Sequence, residues 1–218
     1  NTMNTLHGRT LPTATGIKQA NPGLKVFAVG GDGDGYGEGG NHFLHALRRN
    51  LDITYIVCDN RVFGLTKGQA SPTAKLGTPG GLTPGGTKYP DLNPLELAIT
   101  MDISFVARGS ATEKGHLTEM IKAAVNSPGM ALIDVLQPCP SFNKVNTWQW
   151  YRDRVYRLED HNPYNRLQAL DVTREWGDRI PIGIIYQSRR PSPTYEKNLT
   201  EFGDSPRKTA ELLKEYVV

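Results

Sequence analysis

Disulfide chemistry, membrane insertion and charge-driven nucleic-acid binding are all poorly served by this sequence. Only two cysteines occur in 218 residues. Cys58 sits in the apolar run 53–58 and Cys139 between two prolines, so they form no disulfide framework. No apolar run approaches the roughly 20 residues of a spanning helix, and no charged segment followed by an apolar stretch opens the chain as a secretory signal would. A cytoplasmic protein is the expectation. Lys and Arg number 25 against 22 Asp and Glu, a net charge of +3, and no basic stripe is interleaved with aromatics. Neither nucleic acid nor membrane is therefore an expected partner. An initiator methionine is also missing: Asn1 lies inside a loop-like phrase, NTMNTLHGRT, and further residues are expected upstream. With 38% hydrophobic residues, the chain has enough apolar surface for one α/β domain with an appendage.

What is present alternates between two periods. Residues 12–20 have the composition of a short helix that Asn21-Pro22-Gly23 ends. KVFAVG (25–30) and ITYIVC (53–58) are short apolar runs suited to buried parallel strands. Between them, NHFLHALRRN (41–50) places Phe43, Leu44 and Leu47 on one helical face, with Asn41 as N-cap. The segment 25–58 is thus a βαβ unit with parallel neighbours. A helix over 93–101, a strand over 104–108, a helix over 117–125 and a strand over 131–136 continue the alternation. Residues 64–90 carry many Gly, Pro, Ser and Thr without an apolar period, which predicts a long ordered loop or lid. From 143 the composition turns aromatic and charged. A late strand at 180–186, a loop at 191–194 and a terminal helix at 207–217 follow. The expected class is α/β, a mainly parallel sheet flanked by helices, with a domain over 1–142 and a C-terminal arm over 143–218. That arm packs on the domain or on a partner, its tryptophans serving core or interface.

Chemistry concentrates in GGDGDGYGEGGNH (30–42), where seven glycines and three acids share thirteen residues. An EF-hand calcium loop is excluded by Tyr36 at its fifth position and Phe43 at its twelfth, where a bidentate Glu is required. A dinucleotide fingerprint is satisfied formally by Gly35, Gly37 and Gly40 with Asp59 beyond. Asp32, Asp34 and Glu38, however, would repel a bare pyrophosphate approaching that turn. A divalent cation removes the conflict. Asp32 ends the first strand and Asn60 the second, so neighbouring strands bring both to one crevice. With a backbone carbonyl near Val62 and diphosphate oxygens they would offer Mg²⁺ the hard octahedral shell it prefers. His42 and His45 share a helix face but lack a third ligand for zinc, and are expected to be hydrogen-bonded structural histidines.

Gly31-Asp32-Gly33, 25 intervening residues and Asp59-Asn60 resemble the thiamine diphosphate motif, with Asp in place of the first Asn of the usual final pair. HGR (7–9), ATGIK (14–18), GGDGDG (30–35), NHFLHALRRN (41–50), DNRVFGLTKGQASPT (59–73) and DVLQPCPSFN (134–143) resemble the β subunit of 2-oxoacid:ferredoxin oxidoreductases over about residues 5–190. The resemblance implies thiamine diphosphate-dependent oxidative decarboxylation of a 2-oxoacid, or the reverse. Coenzyme A would be the acyl acceptor, and electrons would pass through a [4Fe–4S] cluster to ferredoxin.

It also implies site roles. Asp32, Asn60 and the Val62 carbonyl would hold Mg²⁺. Gly31, Gly33, Asp34, Gly64, Leu65 and Thr66 would surround the diphosphate, with His7 closing the site. Leu65 and Lys67 would face the substrate, and Cys139 would be the last of four cluster cysteines, the others lying upstream. A glutamate for cofactor activation would come from an α subunit, in a dimer of such pairs. Two other readings of the same cofactor motif are a subunit of a non-redox decarboxylase or synthase and a non-catalytic cofactor-binding subunit.

Overall fold

A computed structural model describes residues 2–189. The expected loop at 191–194 and helix at 207–217 lie outside the described residues. In chain order the elements are α1 (Thr10–Ala20), β1 (Val26–Gly31), a π-helical turn (Gly33–Glu38), α2 (Gly40–Arg49), β2 (Ile53–Asp59), β3 (Val62–Phe63) and β4 (Gln69–Ala70). They continue with α3 (Pro94–Thr100), β5 (Phe105–Ser110), α4 (Lys114–Asn126), β6 (Ala131–Leu136), α5 (Trp148–Arg152), β7 (Val155–Arg157), α6 (Arg166–Arg174) and β8 (Ile180–Gln187). The fold is α/β. Six strands form one sheet in the order β1-β2-β6-β5-β8-β7, parallel except for β8 against β5. The segment after 143 therefore contributes two strands to the main sheet, and the sheet runs continuously across residue 142.

Helices cover both faces, which explains why β5 and β6 are buried at every position. On one face Leu11, Phe43, Leu47, Leu95, Ile99 and Val172, from α1, α2, α3 and α6, pack on Tyr55, Val57 and Leu132. On the other, Met120 and Ala124 of α4 pack on Phe105, Ile133 and Val135. The apolar stripe of α2 is Phe43, Ala46 and Leu47, while Leu44, expected on that face, is 39% exposed. An i, i+3, i+4 stripe leaves no room for its immediate neighbour. Asn41 is not the N-cap either: the helix starts at Gly40, directly after the π-helical turn. Asn93 does cap α3, its side chain accepting from Glu96 N–H at 3.2 Å with Pro94 next in line.

Helix α2 ends on Asn50 in the left-handed region (φ 48°), a conformation asparagine tolerates. Its Oδ1 accepts the N–H of Ser104 (3.2 Å) and of Met130 (2.9 Å), and its Nδ2 donates to Ser104 Oγ (3.1 Å). One amide thus joins the chain just before β2, β5 and β6, fixing these parallel strands at their amino ends.

Candidate cofactor and metal site

The carboxyl ends of β1 and β2 lie side by side, with Gly31 opposite Cys58. The residues that follow meet at Asp32, whose side chain is 1% exposed. Its Oδ2 accepts from Arg61 N–H (3.1 Å), from Thr73 Oγ1 (2.7 Å) and from the Ser71 hydroxyl, and its Oδ1 from Asn60 N–H at 3.4 Å. Arg61 reaches this geometry at φ 66°. Two overlapping side-chain turns hold it there: Asp59 Oδ1 accepts from Arg61 N–H (3.2 Å) and Asn60 Oδ1 from Val62 N–H (3.1 Å). Thr73 Oγ1 also lies 2.7 Å from Asp59 Oδ1. One threonine hydroxyl thus stands between two buried acids. Accordingly, burial and then the Asp59 charge push the Asp32 carboxyl up to about 7. Two crowded buried acids are the electrostatic complement of a cation.

The other donors suit the same ion. The Arg61 and Phe63 carbonyls accept from Ser71 and Gly68 N–H across the β3–β4 hairpin, and successive carbonyls of a strand point to opposite sides. The Val62 carbonyl is thereby turned away from the hairpin. Carboxylate, amide and carbonyl oxygens are the hard ligands of Mg²⁺. Space for a diphosphate is present too. A Cβ added at Gly64 would meet nothing within 4 Å, and one at Gly31 only the Cys58 carbonyl at 3.9 Å.

The remaining residues singled out by sequence are distributed around this centre. Gly33 packs against the Phe63 ring, which an added Cβ would strike at 2.5 Å. That ring in turn meets the exposed His7 imidazole edge-on, centroids 6.2 Å apart. Leu65, 94% exposed, Thr66 and Lys67 (φ 73°) form the hairpin tip. The Thr66 hydroxyl bonds the Gln69 side chain. Asp34 is committed elsewhere: it accepts from Gly8 N–H (2.6 Å) and Thr10 Oγ1 (3.0 Å), clamping the HGR segment to the glycine turn. Cys139 is half-buried in the turn after β6. Its carbonyl accepts from Asn143 N–H (3.2 Å), and Asn143 Nδ2 donates to the Asn60 carbonyl (3.0 Å), which latches the cysteine turn to the loop after β2.

His42 bonds Arg9 at 2.5 Å. His45 departs from expectation, its buried Nδ1 having no partner among the described residues. Among those residues no three His, Cys, Asp or Glu side chains cluster as a metal site, and no helix is long and apolar enough to cross a membrane.

Sequence reasoning missed Ser71 and Thr73 as the hydroxyls that hold Asp32, and Asp134. The Asp134 carboxyl is buried beneath the site, accepts from Tyr36 Oη at 2.9 Å, and is pushed up to about 8 by burial and by Asp59. An unfolded aspartate ionises near 4, so the folded chain keeps a proton that the unfolded chain releases. Stability is therefore full below pH ~4 and declines as pH rises toward 8, by on the order of a few kcal/mol. Asp134→Asn should flatten this slope. Thermal unfolding is expected to show the variant more stable than the parent at pH 8 and not at pH 4; equal differences at both would refute the ionisation argument.

An acidic residue at the first of two parallel strand ends, an amide at the second and a glycine-lined opening define a thiamine diphosphate-binding domain. Residues 1–135 match the family described as thiamine pyrophosphate enzyme, C-terminal TPP binding domain, and residues 139–204 match the family described as the C-terminal part of the pyruvate ferredoxin oxidoreductase beta chain. The 2-oxoacid:ferredoxin oxidoreductase subunit beta of Saccharolobus solfataricus is 47% identical over 211 residues, spanning 91% of this chain and 69% of that one. Subunit beta of the 2-oxoacid:ferredoxin oxidoreductase 1 of Aeropyrum pernix is 43% identical over 213 residues, 92% and 67% of the two chains. A solved 2-oxoglutarate:ferredoxin oxidoreductase from Magnetococcus marinus, with 2-oxoglutarate, coenzyme A and succinyl-CoA bound, superposes with a TM-score of 0.85 at 34% identity. The match covers 97% of this chain and 74% of that one. The chain belongs to the β subunits of the 2-oxoacid:ferredoxin oxidoreductases. This membership favours the oxidoreductase reading over the non-redox, non-catalytic and dinucleotide-binding ones.

Proposed function

We propose that this chain, paired with an α subunit, binds thiamine diphosphate through Mg²⁺ and performs coenzyme A-dependent oxidative decarboxylation of a 2-oxoacid, or the reverse, with ferredoxin as electron partner. The observation that carries the site assignment is Asp32, a buried carboxylate held by four donors where β1 and β2 end together. Asp32, Asn60 and the Val62 carbonyl would hold the metal, and Gly31, Gly33, Gly64 and Thr66 would flank the diphosphate. When bound, the thiazolium supplies the carbanion chemistry that lets a 2-oxoacid lose CO₂.

The chain's own work is positional. Ser71 and Thr73 keep the metal-facing carboxylate in one rotamer. The Asn143 latch fixes the Asn60 main chain. Leu65 and Lys67, at the hairpin tip, would face the substrate, and His7, packed on Phe63 of the same hairpin, would close the site. Asp34 contributes by clamping residues 8–10 against the glycine turn. Two cysteines on separate elements do not make a four-thiolate cubane, so this chain's residues fit one ligand of a cluster, Cys139.

The test is reconstitution of the full-length chain with its α subunit. Reduction of ferredoxin should require the 2-oxoacid, coenzyme A, Mg²⁺ and thiamine diphosphate together. Decarboxylation without ferredoxin reduction would reverse the reading.

A further inference from the structure

A polar cavity of about 240 Å³ lies beside the metal-facing residues, large against the roughly 10–15 Å³ that one water needs. Asp59, Arg61 and Thr73 form its wall toward the cofactor site, whereas Asp32, Asn60 and Gly64 do not line it. Arg61 and Arg108 both line it, at 5% and 4% exposure, and each keeps a buried Nε–H without an acceptor among the described residues. Arg61 Nη1 donates to the Thr73 carbonyl (2.8 Å) and Arg108 Nη2 to the Thr173 carbonyl (3.0 Å). Such bonds satisfy nitrogens without neutralising charge. A guanidinium keeps its proton in a protein; the counter-charges at hand are Asp59, 3.9 Å from Arg61 Nη2, and Asp134, opposite Arg108 across β5 and β6.

The acids around the cavity are otherwise engaged. Asp91 pairs with Lys75 at 2.7 Å. Asp59 approaches Arg61 Nη2 only to 3.9 Å and is shared with Thr73. Asp134 takes the Tyr36 hydroxyl, and burial pushes its carboxyl up. Arg174, also on the lining, is taken by Glu96. The Trp176 indole forms an apolar wall, with the Arg61 guanidinium 3.7 Å and that of Arg108 5.9 Å from its ring centre.

We propose that this cavity binds a small planar oxyanion, a carboxylate or bicarbonate, between the Arg61 and Arg108 guanidiniums, with Trp176 as one wall and Lys75 at the mouth. Planarity follows from the donors, since a guanidinium fork matches two coplanar oxygens. The site takes its ligand beside the cofactor centre, so its occupant is distinct from the diphosphate, and its existence does not rest on the metal assignment.

The experiment titrates the full-length chain, assembled with its α subunit, by calorimetry with sodium bicarbonate, sodium acetate and sodium chloride at fixed ionic strength. Saturable binding of one planar anion per β chain is expected, weakened at least tenfold in Arg108→Met and severalfold in Lys75→Met. Bicarbonate binding more tightly than acetate would identify a ligand derived from CO₂; the opposite order would identify an organic carboxylate. Three results would overturn the proposal and leave a water-filled cavity: no saturable heat in the parent, chloride binding as tightly as the planar anions, or unchanged affinity in folded Arg108→Met. If that variant does not fold, unchanged affinity in Lys75→Met overturns it equally.

Discussion

Asp32→Asn is expected to weaken Mg²⁺-dependent thiamine diphosphate binding by at least about 100-fold and to abolish 2-oxoacid-dependent electron transfer, with the fold retained. The substitution conserves volume and keeps one carbonyl oxygen, but removes the charge that four donors converge to orient. Loss of a residue that merely orients a metal ligand costs roughly 10–100-fold in affinity, so loss of the one charged ligand should exceed that. Retention of the fold follows from the electrostatics. Asp32 is crowded by Asp59, and burial already opposes its ionisation, so a neutral side chain relieves a penalty in the cofactor-free protein. Calorimetric titration with thiamine diphosphate at fixed Mg²⁺, beside a thermal melt, checks both halves. Undiminished affinity would show that the metal is held elsewhere.

Gly35→Ala should destabilise the chain by about 2–4 kcal/mol, at or above the usual range for overpacking. The added methyl would lie on the Tyr55 hydroxyl and 3.0 Å from its ring carbon Cζ, and Tyr55 is fully buried. The π-helical turn would then have to shift, carrying Asp32 at its start. Tyr55 Oη has no hydrogen-bond partner among the described residues, so Tyr55→Phe alone should cost little and, combined with Gly35→Ala, restore part of the loss. A denaturant-unfolding double-mutant cycle reads this coupling directly. Additive effects would mean that the hydroxyl is not the obstacle.

Strand positions were legible because runs such as ITYIVC and ALIDVL are bounded by turn residues and buried on both faces. What periodicity does not carry was lost. Glycines have no apolar period, so residues 33–38 read as a loop although they wind into a π-helical turn. The Ser71 and Thr73 hydroxyls come from a segment with no pattern, and their partner lies 39 and 41 residues back, a contact that only the folded lid creates. Asp32 and Asn60 were legible as a pair because parallel neighbours must end together. Asp34, one residue past the turn's first glycine, was expected beside the diphosphate, and the turn points its carboxylate to Gly8 and Thr10. IPIGIIY reads as a strand, but its antiparallel pairing with β5 depends on a register that its own residues do not encode.

Asn50 sets a timetable for synthesis. Its side-chain amide leaves the ribosome 54 residues ahead of Ser104 and 80 ahead of Met130, the partners it holds in the finished sheet. At roughly 5–20 residues per second, the early β1–α2–β2 unit waits on the order of 4–16 s with that amide solvated and one edge of β2 open. Chains stalled in this interval expose an unpaired apolar strand, so nascent β subunits are most vulnerable to misassociation before the β6 segment emerges.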